Sequence, residues 1–417
     1  PRAHVAMRLD GIDCTLHQIR DKQRVDADFD PDPDMSAGQT LLIASGLLWG
    51  ASLLWLLGSM TCALLQPWKR RKTESLAGAS PGTLPVSIIV PTSAADTPRA
   101  ERDRAEAMGS LLALNQPDYE IMLCVDRAEQ GRDLVARLLQ SYRDRRVHVM
   151  TARHRSSPNA KIDAMEAAVA EARHDLLLFS DDDVLVDHDH VSHLRQQLHD
   201  NVGLVSAAAI GIRPTNIWGY LELAFMNGQF ARLHLAGDFL GFSGALGKTI
   251  LVERGGLRRA GGLLPTGGDC CEDAALTRNF KAAGLRVVLS PVAVRQPILD
   301  QRFSDVWRRH VRWLGCRRKY LTTVFICEGL FSTPVAVAAG AVAASQLSWD
   351  PAAGAVGCLL VWCAADSLFT LLSGWHFGLR TPIAWLVREA IFLPMWMQAL
   401  VTRTVTWHGR RVPLTIN

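Results

Sequence analysis

The apolar positions along the chain follow three different rules. Pro1 to Asp34 shows no apolar period and contains the acidic run "DADFDPDPD", so residues 1–39 read as a disordered leader. Met35 could serve as the start of the natural product. Thr40 to Leu65 then carries no charge over more than the roughly 20 residues a helix needs to cross a bilayer, which predicts a membrane helix at 40–66. The run is too long, and starts too far in, for a cleaved signal peptide. "KRRK", Lys69 to Lys72, follows at once, and the positive-inside rule places this cluster and what comes next in the cytoplasm.

After a Ser, Gly and Pro-rich linker, short apolar runs alternate with helical stretches from about 85 to 300. "VSIIVP", "YEIMLCVD", "RVHVMTA" and "DLLLFSD" read as strands. Helices are expected at about Asp96–Leu114, Arg132–Tyr142 and Lys161–Glu171. The alternation predicts an α/β, doubly wound, parallel sheet with ligands at the carboxyl ends of its strands, where Asp126 and Asp181 fall. Residues 301–320, "FSDVWRRHVRWLGCRRKY" among them, have the Arg-rich, Trp-bearing composition of an amphipathic interfacial helix.

From Leu321 to about 402 three apolar runs are interrupted by Glu328, by Asp366 and by Arg388 with Glu389. Charges inside membrane segments usually face protein, water or a function. Arg388 and Glu389 are sequence neighbours, so each is expected to need a separate partner. Three crossings would leave the basic tail at 403–417 outside, so Pro382 to Val401 is expected to be re-entrant or interfacial.

Composition sharpens the picture. The 417 residues are 48% hydrophobic, high for a purely soluble protein, and the modest formal charge of +4 comes largely from Arg clusters near the membrane segments, without the basic, aromatic surface that nucleic acid requires. Nine cysteines show no zinc spacing, and free thiols in a reducing compartment are the simplest reading.

The candidate chemistry starts at "LLLFSDDDVLVD". Asp181, Asp182 and Asp183 repel one another unless water, a basic partner or a cation screens them. The triplet is thus either a solvated turn or a hard-metal site facing a diphosphate. Asp273 in "GGDCCEDAAL" is either a helix N-terminal acid or a general base. Arg309 and Arg312 of "RRHVRW" share a helical face with Trp313 alongside, suited to phosphate and to stacking.

In this order, flanked by membrane segments, these motifs resemble the membrane-bound inverting glycosyltransferases of the GT-A fold, the ceramide glucosyltransferases in particular. "PNAKIDAMEAAVAEARHDLLLFSDDDVLV", "FLGFSGALGKTILVERGGL", "FICEGLFS", "AWLVREAI" and "VTWHGRRVPL" extend the likeness over about Val86 to Leu414. The resemblance implies a GT-A nucleotide-sugar-binding sheet with N-terminal and C-terminal transmembrane helices. It implies transfer of one hexose, glucose first, from a UDP-sugar to the primary hydroxyl of ceramide or a ceramide-like lipid, by an integral membrane protein whose catalytic domain faces the cytoplasm. The membrane would be the inner one in a bacterium and an endomembrane in a eukaryote.

Residue by residue, the resemblance puts Asp126 at the uridine or ribose, Lys161 at the diphosphate, and Asp181 and Asp183 at the ribose and a Mg2+ or Mn2+ ion. Asp273 becomes the general base, Arg309, Arg312 and Trp313 cover the leaving group, and His234 and Trp218 lie on the acceptor side. Trp407 with Arg410 or Arg411 would return to the mouth of the site. The full Asp triplet departs from that family, which usually has a single Asp followed by small residues, and leaves the division of labour within it open. Other readings are transfer to a different lipid such as a hopanoid, a polysaccharide synthase, and a silent membrane scaffold. Arg309, standing where synthases carry Gln, disfavours the synthase.

Overall fold

The computed structural model describes residues 36–77, 84–92, 98–125, 146–151, 156–157, 159–407 and 410–414. Asp126 and the helix expected at Arg132–Tyr142 lie outside the described residues.

The chain begins with α1 (Ala37–Ala77), whose 41 residues extend well past the expected membrane segment. At 1.5 Å per residue it is roughly 61 Å long, twice the thickness of a hydrocarbon core. Its N-terminal half presents Leu41, Ile43, Leu47, Leu54 and Leu57 outward. Its polar end projects along the α/β domain, where Arg70 Nε donates to Asp238 at 2.7 Å and Gln66 donates to the same carboxylate at 2.8 Å.

The domain that follows contains β1 (Val86–Pro91), α2 (Pro98–Leu112), β2 (Tyr119–Cys124), β3 (Arg146–Met150), α3 (Ala160–Glu171), β4 (Leu176–Ser180), α4 (His190–Arg195), β5 (Val202–Ser206) and β6 (Ala209–Pro214). Then come α5 (Ile217–Phe225), a π-helical turn (Met226–Ala231), α6 (Arg232–Phe239), β7 (Thr249–Glu253), α7 (Arg254–Arg259), α8 (Glu272–Ala282), β8 (Arg286–Leu289) and β9 (Val294–Leu299). Seven strands form one sheet in the order β3-β2-β1-β4-β7-β5-β8. Apolar clusters cover both faces. One centres on Ile88, Leu111 and Leu178, the other on Ile89, Phe179 and Phe280, because strands with both faces buried are apolar at every position.

The sheet is mixed, not wholly parallel as its alternating pattern implied. β3, β2, β1 and β4 are parallel, but β7 runs antiparallel between β4 and β5. Residues 181–248, which include α5 and α6, intervene between β4 and β7, and the periodicity of β7 carries no record of its direction. A parallel half joined to an antiparallel strand, with an acidic loop at the junction, is the GT-A arrangement. A separate parallel pair, β6 with β9, aligns Gly211 with Gln296.

The C-terminal part consists of α9 (Phe303–Tyr320), α10 (Thr322–Leu330), α11 (Thr333–Gln346), α12 (Pro351–Leu372), α13 (Thr381–Val401) and a hairpin of β10 (Thr404–Trp407) and β11 (Arg410–Pro413). Among the described residues, four stretches are long and apolar enough to cross a membrane: Ala37–Thr73, Thr322–Gln346, Pro351–Leu372 and Thr381–Val401. The last, expected to be re-entrant or interfacial, is one continuous helix and does not turn back on itself. α9 is more than a surface helix, because Val306, Val311 and Leu314 are buried against α5 and α13.

The acids of the membrane helices pair with buried arginines, Arg388 of α13 and Arg317 of α9. Arg388 Nη2 lies 2.5 Å from Asp366 and also meets Glu389, its own neighbour, contrary to the expectation of separate partners. A long guanidinium arm can fold back along its helix, which the spacing rule for short side chains does not cover. Arg317 lies 2.7 Å from Glu328.

Candidate active site

β4 is buried along its whole length and ends where its backbone meets the start of β7. Antiparallel register pairs Ser180 with Thr249, and Asp181 N–H donates to the Lys248 carbonyl at 3.1 Å. This pairing puts Lys248, which no sequence signal marked, beside the triplet. Lys248 Nζ lies 3.3 Å from Asp181 and 2.7 Å from Asp183. Gln296, carried in by β9, donates to Asp183 at 2.7 Å. Asp182 turns the other way, to Arg104 at 2.6 Å and to the Thr92 hydroxyl. The triplet is therefore neither a bare turn nor one unit, since Asp181 and Asp183 share Lys248 while Asp182 pairs with Arg104.

α3 begins at the side-chain cap of Asn159, which accepts from Lys161 N–H at 3.0 Å. From its first turn Lys161 Nζ reaches Asp181 at 3.1 Å and Glu272 at 2.9 Å. Burial opposes the charge on Lys161, yet Asp181 and Glu272 outweigh it and hold the ammonium above its ordinary range. Burial likewise opposes the charge on Asp181, and Lys161 and Lys248 hold that carboxyl below its ordinary value.

Asp273 sits in the first turn of α8 and accepts from Gly247 N–H at 3.0 Å and Ala274 N–H at 2.8 Å. Burial, reinforced by the neighbouring Glu272 charge, pushes its carboxyl up to about 6, against those two hydrogen bonds. Lys161, Asp181, Gly247, Glu272 and Asp273 line one pocket with about 400 Å3 of atom-free space. The helix-terminal position and a raised carboxyl thus coexist in one residue.

α9 approaches from the membrane side. Arg309 lies 2.7 Å from the buried Glu222 of α5, and His310 lies 3.1 Å from the same carboxylate. Burial would raise Glu222, but His310 and Arg309 bring it down to about 2. Arg312 is brought down to about 10 by burial, with the charges of Glu272 and Asp273 acting the other way, so it belongs to the Asp273 end of the site. Trp313 stacks on Phe230 at 4.5 Å, and Phe230 meets the half-buried His234 at 4.2 Å. His234 Nδ1 is 2.8 Å from its own helix's Phe230 carbonyl, and burial takes its imidazole down to about 4, so it is neutral near pH 7. Trp218 packs on Phe303 at 5.1 Å, within the cluster that joins α5 to α9 and α13.

The structure corrects the reading of the cysteines. Cys271, just before Glu272, is bonded to Cys316 of α9 across a sequence separation of 45. The bond ties the Asp273 loop to the arginine helix, and only the folded path of α9 brings the two thiols together.

A family model for glycosyl transferase family 21 matches residues 51–417. The chain belongs to glycosyl transferase family 21. Among curated proteins, this family 21 chain is 21% identical to ceramide glucosyltransferase 1 of Caenorhabditis elegans over 80% of its length and 72% of that protein's. It is 22% identical to ceramide glucosyltransferase 3 of the same organism, over 78% and 71%. A solved mannosyltransferase from Pyrobaculum calidifontis, in complex with GDP-Man and Mn2+, is similar with a TM-score of 0.48 and 15% identity, covering 85% of this chain and 96% of that one.

The residues expected to hold a divalent ion suit one chemically. Asp181 and Asp183 converge on a single cationic point, now taken by Lys248 Nζ, and the buried Gln296 Oε1 beside them has no partner among the described residues. All are hard oxygen donors of the kind Mg2+ and Mn2+ prefer. Of the sites that sequence reasoning missed, Glu222 had a signal, being a lone acid within the apolar helix "IWGYLELAF". Lys248, Gln296 and Arg104 had none.

Proposed function

We propose that this family 21 chain is a membrane-bound inverting glycosyltransferase that moves one hexose, glucose first, from a UDP-sugar to the primary hydroxyl of ceramide or a ceramide-like lipid. The observation that carries the reading is Asp273: a half-buried carboxylate pushed up to about 6, fixed by two backbone N–H groups, in the same pocket as Lys161 and Asp181.

Asp273 takes the proton of the acceptor hydroxyl as that oxygen attacks the anomeric carbon from the face opposite the nucleotide. A single displacement of this kind inverts the centre. Lys161 and Arg312 supply positive charge where the diphosphate leaves. A Mg2+ or Mn2+ ion held by Asp181 and Asp183 would add charge stabilisation at the same leaving group. Arg309, braced by Glu222, and Trp313, braced by Phe230, close the leaving-group side, and Asp126 serves the uridine or ribose. His234, through its contact with Phe230, and Trp218 shape the acceptor side. The basic end of α1 orients the catalytic domain to the cytoplasm.

The test is mass spectrometry of lipids from membranes containing the protein or its Asp273→Asn form, given ceramide, Mg2+ and a panel of UDP-sugars. A monohexosylceramide made only by the unmodified protein is expected. A folded protein that glycosylates no ceramide with any donor would refute the acceptor, and a polymeric product would refute single transfer.

A further inference from the structure

A second recess lies between α1, the π-helical turn, α10 and α13. It is lined by Trp55, Leu56, Gln229, Arg232, Glu328 and Arg388 among others, with about 450 Å3 of atom-free space, and it shares no lining residue with the Asp273 pocket.

Its depth follows from α1. Gly38, near the start of α1, lies beside Gln346 at the end of α11, which marks the far side of the helical bundle. From Ala37 to Leu56 the helix rises roughly 29 Å, about one hydrocarbon thickness. The recess therefore sits at the membrane boundary on the catalytic-domain side, where the polar heads of lipids reside.

Most ionised groups there are already matched. Arg317 pairs with Glu328, and Arg388 with Asp366 and Glu389. Arg232 forms none of these ion pairs, and nearby Asp366 Oδ1 also lacks a hydrogen-bond partner among the described residues. Arg232 is 7% exposed, it lines the recess, and its Nε and Nη1 have no hydrogen-bond partner among the described residues. Buried donors left unmade are costly, so they mark a place where a ligand completes the set.

The same turn reaches the catalytic side. Asn227 anchors it to β6 by accepting from Gly211 N–H at 2.7 Å and donating to Gly211 O at 3.1 Å. Gly228 leaves room for the Arg388 guanidinium, and a Cβ there would collide with it. Gln229 faces the recess, while the next residue, Phe230, stacks on Trp313. π-turns of this kind are frequent at functional sites.

We propose that Arg232 is an acceptor-positioning residue, donating through Nε and Nη1 to hydroxyl or amide oxygens of an uncharged lipid head that enters this recess from the bilayer. An uncharged head is favoured because Arg232, Arg317 and Arg388 are balanced by Glu328, Asp366 and Glu389, so a phosphate would leave excess negative charge at low dielectric. The inference rests on the reading of the chain as a lipid glycosyltransferase.

The test compares the unmodified protein with Arg232→Leu and Arg232→Lys in detergent micelles, by thermal unfolding, UDP affinity and equilibrium binding of a short-chain ceramide. Arg232→Leu is expected to unfold at the same or a higher temperature, to keep its UDP affinity, and to bind ceramide at least about tenfold more weakly. Arg232→Lys should recover part of that loss. A lower unfolding temperature with ceramide affinity unchanged in the folded fraction would make Arg232 structural and overturn the proposal. Unchanged ceramide affinity in a stable variant, or displacement of ceramide by phosphatidate, would overturn it as well. Arg232-dependent ceramide binding without any glycosylated product would leave this site standing and refute the ceramide reaction instead.

Discussion

Lys161 Nζ donates to Glu272 at 2.9 Å, one residue before Asp273 in the chain. The contact holds Glu272 ionised beside a carboxyl whose pKa it raises. A general base works only when deprotonated, so kcat/KM should rise with pH through about 6 and then level off. Glu272→Gln removes the neighbouring negative charge and should move this acid limb to lower pH. A pH-rate profile checks it, and a limb that stays in place would mean that another group titrates.

Lys248 bridges Asp181 and Asp183, which would otherwise repel one another. Lys248→Ala should lower the unfolding temperature in EDTA, and Mn2+ should restore it more than it stabilises the unmodified protein. Equal responses of both proteins to Mn2+ would argue against an ion at these two acids.

Glu222 is fully buried between Arg309 and His310. Glu222→Gln strands the Arg309 charge and should cost about 3 kcal/mol of stability in denaturant unfolding. It should also weaken UDP binding, since Arg309 loses its brace. UDP affinity equal to that of the unmodified protein would place Arg309 away from the diphosphate.

The Cys271–Cys316 bond joins the Asp273 loop to α9. Cys316→Ser should cost about 3 kcal/mol of stability. Thiol labelling of acid-quenched, unreduced protein, read by peptide mass spectrometry, should leave both cysteines unmodified. Full labelling at both positions would show that they are free thiols in the membrane.

The sequence by itself carried the strands of the parallel half, the membrane helices and the order of the acidic and arginine motifs. Each is a local property: an apolar run such as Leu176 to Phe179 must be buried, and a charge-free run such as Thr40 to Leu65 must leave water. The reversed direction of β7, Lys248 beside Asp181, the Cys271–Cys316 bond and the bare donors of Arg232 were decided only by the tertiary structure. Strand direction and side-chain pairing depend on how segments far apart in the chain return to one another. The local pattern of apolar and polar residues is the same for either return path.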